Sequence, residues 1–356
     1  MKGLRIAQVS PLYESVPPKL YGGTERVVSF LTEELVAQGH DVTLFASGDS
    51  ITRARLVPVC DKALRLNSEC VDRVANHIAM VQIVQDEIEN FDVVHYHIDY
   101  LHYPLSRLNP FPHITTLHGR LNICEVQQLY RVFNDMPVVS ISQAQRRPLP
   151  NLNWVANVYH GLPKTLLKPN FEKGKYLAFL GRISPEKGID VAIQIAVHSG
   201  IPLKIAAKID NADRTYFEQH IKKLLDNPLI EFLDEINENE KQEFLSNAIA
   251  LLFPINWPEP FGMVMIEALA CGTPVLAYRN GSVAEIIEHG RTGFIVDNLG
   301  QAIKALQNIS LLERQECRKS FEERFTADRM ARDYVDVYQH VAGLNKQRKE
   351  VKSIEI

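Results

Sequence analysis

Residues 250–277 read ALLFPINWPEPFGMVMIEALACGTPVLA, and this stretch carries the clearest structural pattern of the chain. The apolar runs 250–254 and 274–277 are short, continuous and bounded by turn residues, which is typical of buried strands. Between them, Met263–Ala270 has the composition of a buried helix that ends at Gly272. The order strand, loop, helix, strand predicts an α/β fold with a parallel sheet.

Two carboxylates, Glu259 and Glu267, lie eight positions apart in this apolar stretch. A buried carboxylate is costly without a partner. In one interpretation Glu259 caps a helix and Glu267 pairs with a core arginine. In the other, both contact a ligand, because Glu259 follows the carboxyl end of a strand, where open α/β sheets bind ligands. The helix start at Phe261-Gly262 also offers N–H groups suited to phosphate.

The segment resembles the Glu-x7-Glu motif of the family 4 (group 1) retaining glycosyltransferases. The resemblance implies two Rossmann-like domains with parallel sheets facing across a central cleft, the GT-B fold. It further implies that Glu259 approaches the transferred sugar and that Glu267 holds the ribose hydroxyls of the donor. The backbone amides implied to contact sugar and phosphate are those of Phe261, Gly262, Met263 and Val264.

Length and composition agree with a globular enzyme of two domains. The chain has 356 residues, of which 46% are hydrophobic and 23% charged, and its net charge of −4 gives no nucleic-acid signature. Its five cysteines form no Cys-x-x-Cys pair, which favours free thiols in a reducing compartment. We find neither a signal peptide nor an apolar run near the ~20 residues that span a bilayer. We therefore expect a cytoplasmic protein, with peripheral contact at the cytoplasmic face of a membrane left open.

Strands alternate with helices in two series, which predicts one parallel sheet in each half of the chain. We expect an acceptor-binding domain over 1–165 and a nucleotide-sugar-binding domain over 166–325. The family resemblance implies that the C-terminal helix within 326–356 crosses back to the first domain, ahead of a charged tail, Lys346–Lys352, that we expect to fray. The predicted strands are Leu4–Val9, Asp41–Ala46, Phe91–His95, Ile114–Leu117, Met136–Ile141, Tyr176–Gly181, Leu203–Ala207, Ile230–Leu233, Ala250–Pro254 and Pro274–Ala277, and the main predicted helices are Val27–Gln38, Ile189–Ala196, Met263–Ala270 and Arg329–Gly343.

The loop Leu180–Gly188 follows a predicted strand and carries Arg182 and Lys187. Taken alone, both could be ordinary surface cations. Two cations before a helix N-terminus also suit a diphosphate, and the loop resembles the family's Gly-Arg…Lys-Gly motif. The chain has no Asp-x-Asp pair that would suggest a metal-chelating transferase. We therefore expect no cofactor and no metal, with Arg182 and Lys187 stabilising the leaving diphosphate.

Gly22-Gly23 lies within Tyr21–Glu25 and lacks the dinucleotide-binding fingerprint. Alone it fits a simple turn, but the resemblance implies a close backbone approach to the donor phosphate. The resemblance also assigns Ile236 and Lys241 to the segment that contacts the nucleotide base. Asp234 in that segment stands where many relatives have glycine.

Four further positions follow strands of the first half. His118 comes after Ile114–Leu117, and the resemblance implies that it contacts the donor sugar. Arg120 could bind an anionic acceptor or phosphate. His97 and Asp99 could contact an acceptor or simply shape a loop, since no further ligand suggests a metal site.

These features predict a metal-independent retaining glycosyltransferase that uses a nucleotide sugar, most simply a UDP-sugar, and a sugar, lipid-linked or small-molecule acceptor. Retention would follow a front-face mechanism in which the departing diphosphate helps deprotonate the acceptor. Two alternatives stay open: an isomerase like the nucleotide-sugar 2-epimerases, and a non-catalytic sugar-nucleotide sensor. A nicotinamide oxidoreductase is less consistent, because neither half has the phosphate fingerprint.

Overall fold

The computed structural model describes residues 3–19 and 22–354, with side chains as far as residue 343. The chain divides into two compact units: unit 1 is Met1–Gly161 with Ala327–Ile356, and unit 2 is Leu162–Thr326. The sequence analysis placed its borders at 165/166 and 325/326. Both units are parallel α/β structures.

Unit 1 is built on a sheet whose order is β3-β2-β1-β4-β5-β6-β7, with every described pair parallel. The order reverses between β1 and β4, so the loops after these two strands leave the sheet side by side. Its elements are β1 Arg5–Val9, α1 Gly23–Ala37, β2 Asp41–Ser47, β3 Arg55–Cys60, α2 Arg73–Asp86, β4 Val93–Tyr96, α3 Tyr103–Leu108, β5 His113–Thr116, α4 Cys124–Val132, β6 Val138–Ser140, α5 Gln143–Arg146 and β7 Trp154–Asn157.

Unit 2 repeats this plan with the order β10-β9-β8-β11-β12-β13, again parallel throughout the described pairs. Its switch point lies between β8 and β11. The elements are β8 Tyr176–Arg182, α6 Ile189–Ser199, β9 Leu203–Lys208, α7 Arg214–Tyr216 (continuing as a π-helix, Phe217–Ile221, and a 3-10 turn, Lys222–Asp226), β10 Ile230–Phe232, α8 Glu238–Ser246, β11 Ala248–Phe253, α9 Met263–Ala270, β12 Val275–Tyr278, α10 Val283–Ile286, β13 Gly293–Val296, α11 Leu299–Gln307 and α12 Arg314–Arg324.

The last helix, α13 Ala327–Ile354, belongs to unit 1. Tyr334 and Tyr338 on it are buried, and their hydroxyls reach the side chains of Thr116 and Gln8. The helix thus packs on the sheet next to strands β1 and β5, and polar contacts join it to both strands. It continues through the Lys346–Lys352 tail, whose side chains lie outside the described ones.

Several elements differ from the sequence-based prediction for identifiable reasons. Helix α1 begins at Gly23, four positions before the predicted start. The prediction began at Val27 because the apolar periodicity appears only from that residue onward. Strand β13 is absent from the sequence-based prediction. The sequence-based prediction also lacks β3, an edge strand whose apolar run contains Pro58, because a proline within such a run argues against a strand. Helix α9 has the predicted bounds.

Candidate active site

Two loops of unit 2 meet where the strand order of its sheet reverses. They follow the neighbouring strands β8 and β11. The backbone N–H of Asn256 donates to the carbonyl oxygen of Glu186 at 2.8 Å. A Cβ at Gly188 would lie 2.1 Å from the carbonyl oxygen of Pro254, so only glycine permits this approach. Such switch points are the usual ligand sites of open parallel sheets.

Glu259 lies in the second of these loops, and its carboxylate is almost completely buried. Its Oε2 forms an ion pair with Lys187 Nζ and accepts a hydrogen bond of 3.0 Å from Trp257 Nε1. Lys187 Nζ also lies 5.2 Å from the centroid of the Trp257 ring. The helix-cap interpretation of Glu259 is wrong, because α9 is capped by Gly262 and no side chain accepts from its first turn.

The backbone of Glu259 is fixed from behind by the loop after β12. The N–H of Ser282 donates to the Glu259 carbonyl at 3.0 Å, and Ser282 Oγ donates to the Phe261 carbonyl at 2.7 Å. Gly281 has a φ of 52°, and a Cβ there would lie 2.2 Å from the Glu259 oxygen and 2.4 Å from its nitrogen. The position of Glu259 therefore depends on a glycine in direct backbone contact with it.

Glu267 lies on α9 and is buried, and its partner Lys241 of α8 is half-buried. Lys241 Nζ lies 2.7 Å from Glu267 Oε1 and 3.3 Å from Glu238 Oε2. The interpretation that Glu267 pairs with a core arginine is wrong, since its partner is a lysine. Ile236 is half-buried in the loop just before α8. The two residues assigned from the sequence to ribose and base contacts are thus joined by an ion pair.

Asp234 explains how the β10–α8 loop works without the glycine of many relatives. Its φ is 56°, in the left-handed region that glycine occupies most easily and that aspartate tolerates better than most residues. Its carbonyl accepts from the N–H of Ala207 at 2.9 Å. The loop keeps the backbone shape that a glycine would provide.

The N-terminus of α9 lies directly after Glu259. Phe261 is buried and packs edge-on against Phe325, whereas Gly262, Met263 and Val264 are partly exposed. The first N–H groups of a helix have no partner within it, and they attract negative charge. The amides assigned from the sequence to sugar and phosphate therefore belong to a helix N-terminus at the sheet's switch point.

Arg182 ends β8, but its neighbours are carboxylates. Its guanidinium lies 3.3 Å from Asp213, 3.7 Å from Asp210 and 3.8 Å from Glu186. Lys187 therefore contacts a predicted site residue, whereas Arg182 contacts none of them. The diphosphate role of Arg182 stays a prediction.

In unit 1, His97 and His118 follow β4 and β5 and contact each other. Their nearest ring nitrogens, His97 Nδ1 and His118 Nε2, lie 2.9 Å apart, and His97 Nε2 lies 2.8 Å from Gln8 Oε1. Both ring nitrogens of His97 are thus engaged inside the unit. His118 is half-buried and stacks on His160 at 5.3 Å between centroids.

The other predicted positions of unit 1 lie at the same sheet edge. Gly22 is buried and caps α1, and Gly23 is the first residue of that helix, so both are at a helix N-terminus. Tyr21 lies outside the described residues. Asp99 is exposed with a φ of 50°, and Arg120 Nε donates to Asn122 Oδ1 at 2.9 Å. Phosphate and acceptor contacts at these positions stay predictions.

Three properties of residues 3–19 and 22–354 complete the description. In this part of the chain no three or more His, Cys, Asp or Glu residues are grouped so as to hold a metal ion. No helix there combines the length and apolarity required to cross a membrane. All five cysteines fall within it, and they are free thiols.

Both halves of the chain match models of one enzyme family. Residues 167–327 match the model of glycosyl transferases group 1, and residues 21–158 match that of glycosyltransferase family 4. The chain belongs to the family 4, group 1 glycosyltransferases. It is a glycosyltransferase with the GT-B type of fold, made of two parallel-sheet α/β domains.

Relatives of this glycosyltransferase extend over almost its full length. It is 24% identical to the N-acetyl-alpha-D-glucosaminyl L-malate synthase of Bacillus anthracis, over 92% of this chain and 96% of the relative. The Anabaena protein HepE in complex with UDP and glucose superposes with a TM-score of 0.72 at 16% identity, covering 95% of this chain and all of that one. The catalytic domain of Arabidopsis thaliana starch synthase IV, bound to ADP and acarbose, gives 0.71 at 15% identity, with 96% and 100% coverage.

The sequence analysis of this glycosyltransferase overlooked Trp257, Ser282 and Gln8. Trp257 could have been noticed as a hydrogen-bond donor two positions before Glu259. Ser282 and Gln8 act on residues that are 23 and 89 positions away along the chain, Glu259 and His97 respectively. No local pattern signals such contacts.

Proposed function

We propose that this glycosyltransferase moves a sugar from a UDP-sugar to an acceptor hydroxyl with retention of anomeric configuration and without a metal ion. The observation that carries the proposal is the pair of buried carboxylates just before α9 and on it, each joined to a lysine: Glu259 to Lys187 and Glu267 to Lys241. Glu259 lies in the loop before α9, and Glu267 lies about 6 Å along the helix from its first residue. This separation suits contacts with the transferred sugar and with the ribose of one nucleotide sugar.

Each lysine has a separate task in this proposal. Lys187, Arg182 and the N-terminus of α9 bind the diphosphate. The negative charge of the diphosphate then takes the place of the carboxylates that pair with Lys187 and Arg182 in the structure. Lys241 orients Glu267, whose carboxylate accepts from the ribose hydroxyls. Ile236 borders the base. We propose uridine as the base; HepE, of similar fold, is in complex with UDP, whereas starch synthase IV, of nearly equal similarity, is bound to ADP. A panel including ADP and GDP tests this choice.

The chemical step is a substitution on one face of the sugar. The bond from the anomeric carbon to the diphosphate oxygen breaks, and its electron pair stays on that oxygen. The acceptor oxygen bonds to the same face of the carbon, and its proton passes to the departing diphosphate. Glu259 orients the sugar hydroxyls and stabilises the positive charge that develops on the ring. His118 keeps the donor-sugar contact that the family resemblance implies.

Acceptor recognition is assigned to unit 1, where Asp99 is exposed after β4 and Arg120 is half-buried after β5. The full-length similarity to a malate-glycosylating enzyme makes a small polar acceptor a reasonable first choice. Sugars, hydroxy acids and lipid-linked sugars should be tested as separate classes of acceptor.

The decisive experiment compares Glu259→Gln with Glu267→Gln. We expect Glu259→Gln to lower kcat by about 100-fold or more with little change in UDP affinity, since it removes a transition-state contact. Glu267→Gln should weaken UDP binding about tenfold or more. Nucleotides are ranked beforehand by thermal shift, where a ligand at 100 times its Kd adds about 2.7 kcal/mol. Unchanged turnover in Glu259→Gln would overturn the assignment of Glu259.

A further inference from the structure

A continuous chain of hydrogen bonds runs through the interior of unit 1 and ends at His118. It links strands β1, β4 and β5 to helix α13. The successive contacts are His118 Nε2 to His97 Nδ1 at 2.9 Å, His97 Nε2 to Gln8 Oε1 at 2.8 Å, Gln8 Nε2 to Tyr338 Oη at 2.9 Å, Tyr338 Oη to His95 Nδ1 at 2.8 Å, His95 Nε2 to Thr116 Oγ1 at 2.7 Å and Thr116 Oγ1 to Tyr334 Oη at 2.8 Å.

Apart from His118, the members of this chain are inaccessible to solvent. Gln8, His95 and Thr116 are 0% exposed, and His97 is 2% exposed. A buried polar group that loses its partner costs about 1–3 kcal/mol. Each contact in the chain must therefore contain one hydrogen, with one atom as donor and the other as acceptor. The donor and acceptor roles at one residue fix those at the next.

Gln8 determines the direction of the chain. Its amide oxygen can only accept, so the Nε2 of His97 carries a hydrogen. Burial, followed by the neighbouring histidines, lowers the pKa of His97 well below its usual value, which keeps the ring neutral. A neutral imidazole has one N–H, so Nδ1 of His97 accepts. The hydrogen it accepts is the one on Nε2 of His118.

We propose that Gln8, acting through His97, holds His118 as the Nε2–H tautomer, so that Nδ1 of His118 is a hydrogen-bond acceptor for a hydroxyl group of the transferred sugar. The sugar contact rests on the proposed function, whereas the tautomer rests on the hydrogen-bond chain alone. Gln8 and His97 are positioning residues in this scheme. His97 then supports His118 instead of contacting an acceptor.

The Tyr338 hydroxyl lies on the other side of the Gln8 amide and accepts a hydrogen bond from Gln8 Nε2. Reversing the amide would place its N–H toward His97 and would reverse every hydrogen in the chain. His118 would then carry its hydrogen on Nδ1 and would donate to a ligand. The tautomer of His118 therefore reports the direction of the whole chain.

The test is the tautomer of His118 in protein labelled with ring-15N histidine. Long-range 1H–15N spectra separate the two tautomers, and His118→Gln identifies the His118 signals among the twelve histidines. We expect a single Nε2–H form in the natural protein. Gln8→Leu removes the directing amide, and Tyr338→Phe removes its acceptor with minimal change of volume. Both should bring the Nδ1–H form of His118 from undetectable to a comparable population.

His102 provides the matched control. It is 0% exposed in the same unit, but its ring nitrogens contact Ser106 Oγ and Thr115 Oγ1, outside the chain. Ser106→Ala should alter the His102 signals and leave those of His118 unchanged. Gln8→Leu and Tyr338→Phe should do the opposite. If Gln8→Leu does not fold, Tyr338→Phe carries the comparison.

The inference would be overturned if His118 in the natural protein were the Nδ1–H tautomer or a mixture of both tautomers. It would also be overturned if the His118 signals were the same in Gln8→Leu, Tyr338→Phe and the natural protein. If the inference holds, Tyr338→Phe should also lower kcat/KM about tenfold, the value of one misdirected hydrogen bond. The proposed function fails separately: an enzyme that transfers no sugar from any nucleotide sugar can still have the Nε2–H tautomer. Conversely, an active enzyme with Nδ1–H would refute only this inference.

Discussion

Replacing Gly281 by alanine should displace Glu259 without touching its side chain. The new Cβ would lie 2.2 Å from the Glu259 carbonyl oxygen and 2.4 Å from its nitrogen. Non-bonded atoms pack at about 3.5 Å, so the two backbones must separate by about 1 Å. A misplacement of this size costs on the order of 100-fold in rate when it affects a group that contacts the reacting sugar. We therefore expect kcat/KM to fall about 100-fold.

UDP affinity should change much less in this variant, because Glu267 lies about 6 Å along α9 from its first residue and Lys241 lies on α8, outside the displaced loop. The matched control is Gly200→Ala. Gly200 also has a left-handed backbone, with a φ of 69°, but a Cβ there meets nothing within 4 Å. Both variants should lose roughly 1–2 kcal/mol of stability from the left-handed conformation. Only Gly281→Ala should lose activity.

Transfer rates, calorimetric UDP binding and urea unfolding of the two variants make the comparison. A folded Gly281→Ala enzyme whose kcat/KM stays within twofold of Gly200→Ala would refute the reasoning. Equal losses of rate and UDP affinity in Gly281→Ala would do so as well, since they would indicate a collapsed site and not a displaced carboxylate.

Three further predictions follow from single contacts. Lys241→Met should lower the free energy of unfolding by about 3 kcal/mol, because it leaves Glu267 buried without its partner. In urea unfolding, the double variant Lys241→Met with Glu267→Gln should be more stable than Lys241→Met alone. A double variant of equal or lower stability would argue against the ion pair. Trp257→Phe removes the 3.0 Å hydrogen bond to Glu259 Oε2 and should lower kcat/KM about tenfold while UDP affinity stays within twofold; an unchanged rate would show that Glu259 needs only Lys187. Burial, and then His113, lower the pKa of His102 well below its usual value, so the folded state remains neutral while the unfolded state gains a proton below about pH 6.5. Stability is therefore lost as the pH falls, and in urea titrations between pH 5.5 and 4.5 His102→Gln should reduce that slope by about 1.4 kcal/mol per pH unit; equal slopes would contradict a neutral buried His102.

Particular residues show how far local pattern extends. Met263–Ala270 was predicted with its observed bounds, because a run that is apolar except for Glu267 and is soon followed by Gly272 needs no distant information. The start of α1 was missed by four positions, since Gly23 and the buried Glu25 in its first turn contradict the usual helical pattern. Strand β3 was missed because Pro58 interrupts its run of strand-forming residues.

The candidate site shows the same division. Glu259, Glu267, Lys187 and Lys241 were all recognised from the sequence, but their pairing was not. The distances along the chain from Lys187 to Glu259 and from Lys241 to Glu267 are 72 and 26 residues. Local pattern instead suggested a helix cap for Glu259 and a core arginine for Glu267. Both suggestions proved wrong.

The sequence by itself determined the class of fold, the two series of strands, the enzyme family and the residues to examine. These depend on local periodicity and on motifs that are contiguous in the chain. Only the tertiary structure decided that β8 adjoins β11, that Gly281 supports the backbone of Glu259, and that Gln8 is joined to His118 through His97. The physical reason is that a parallel sheet pairs strands that are distant in sequence. Its loops, and the side chains they carry, therefore meet partners that no local pattern can specify.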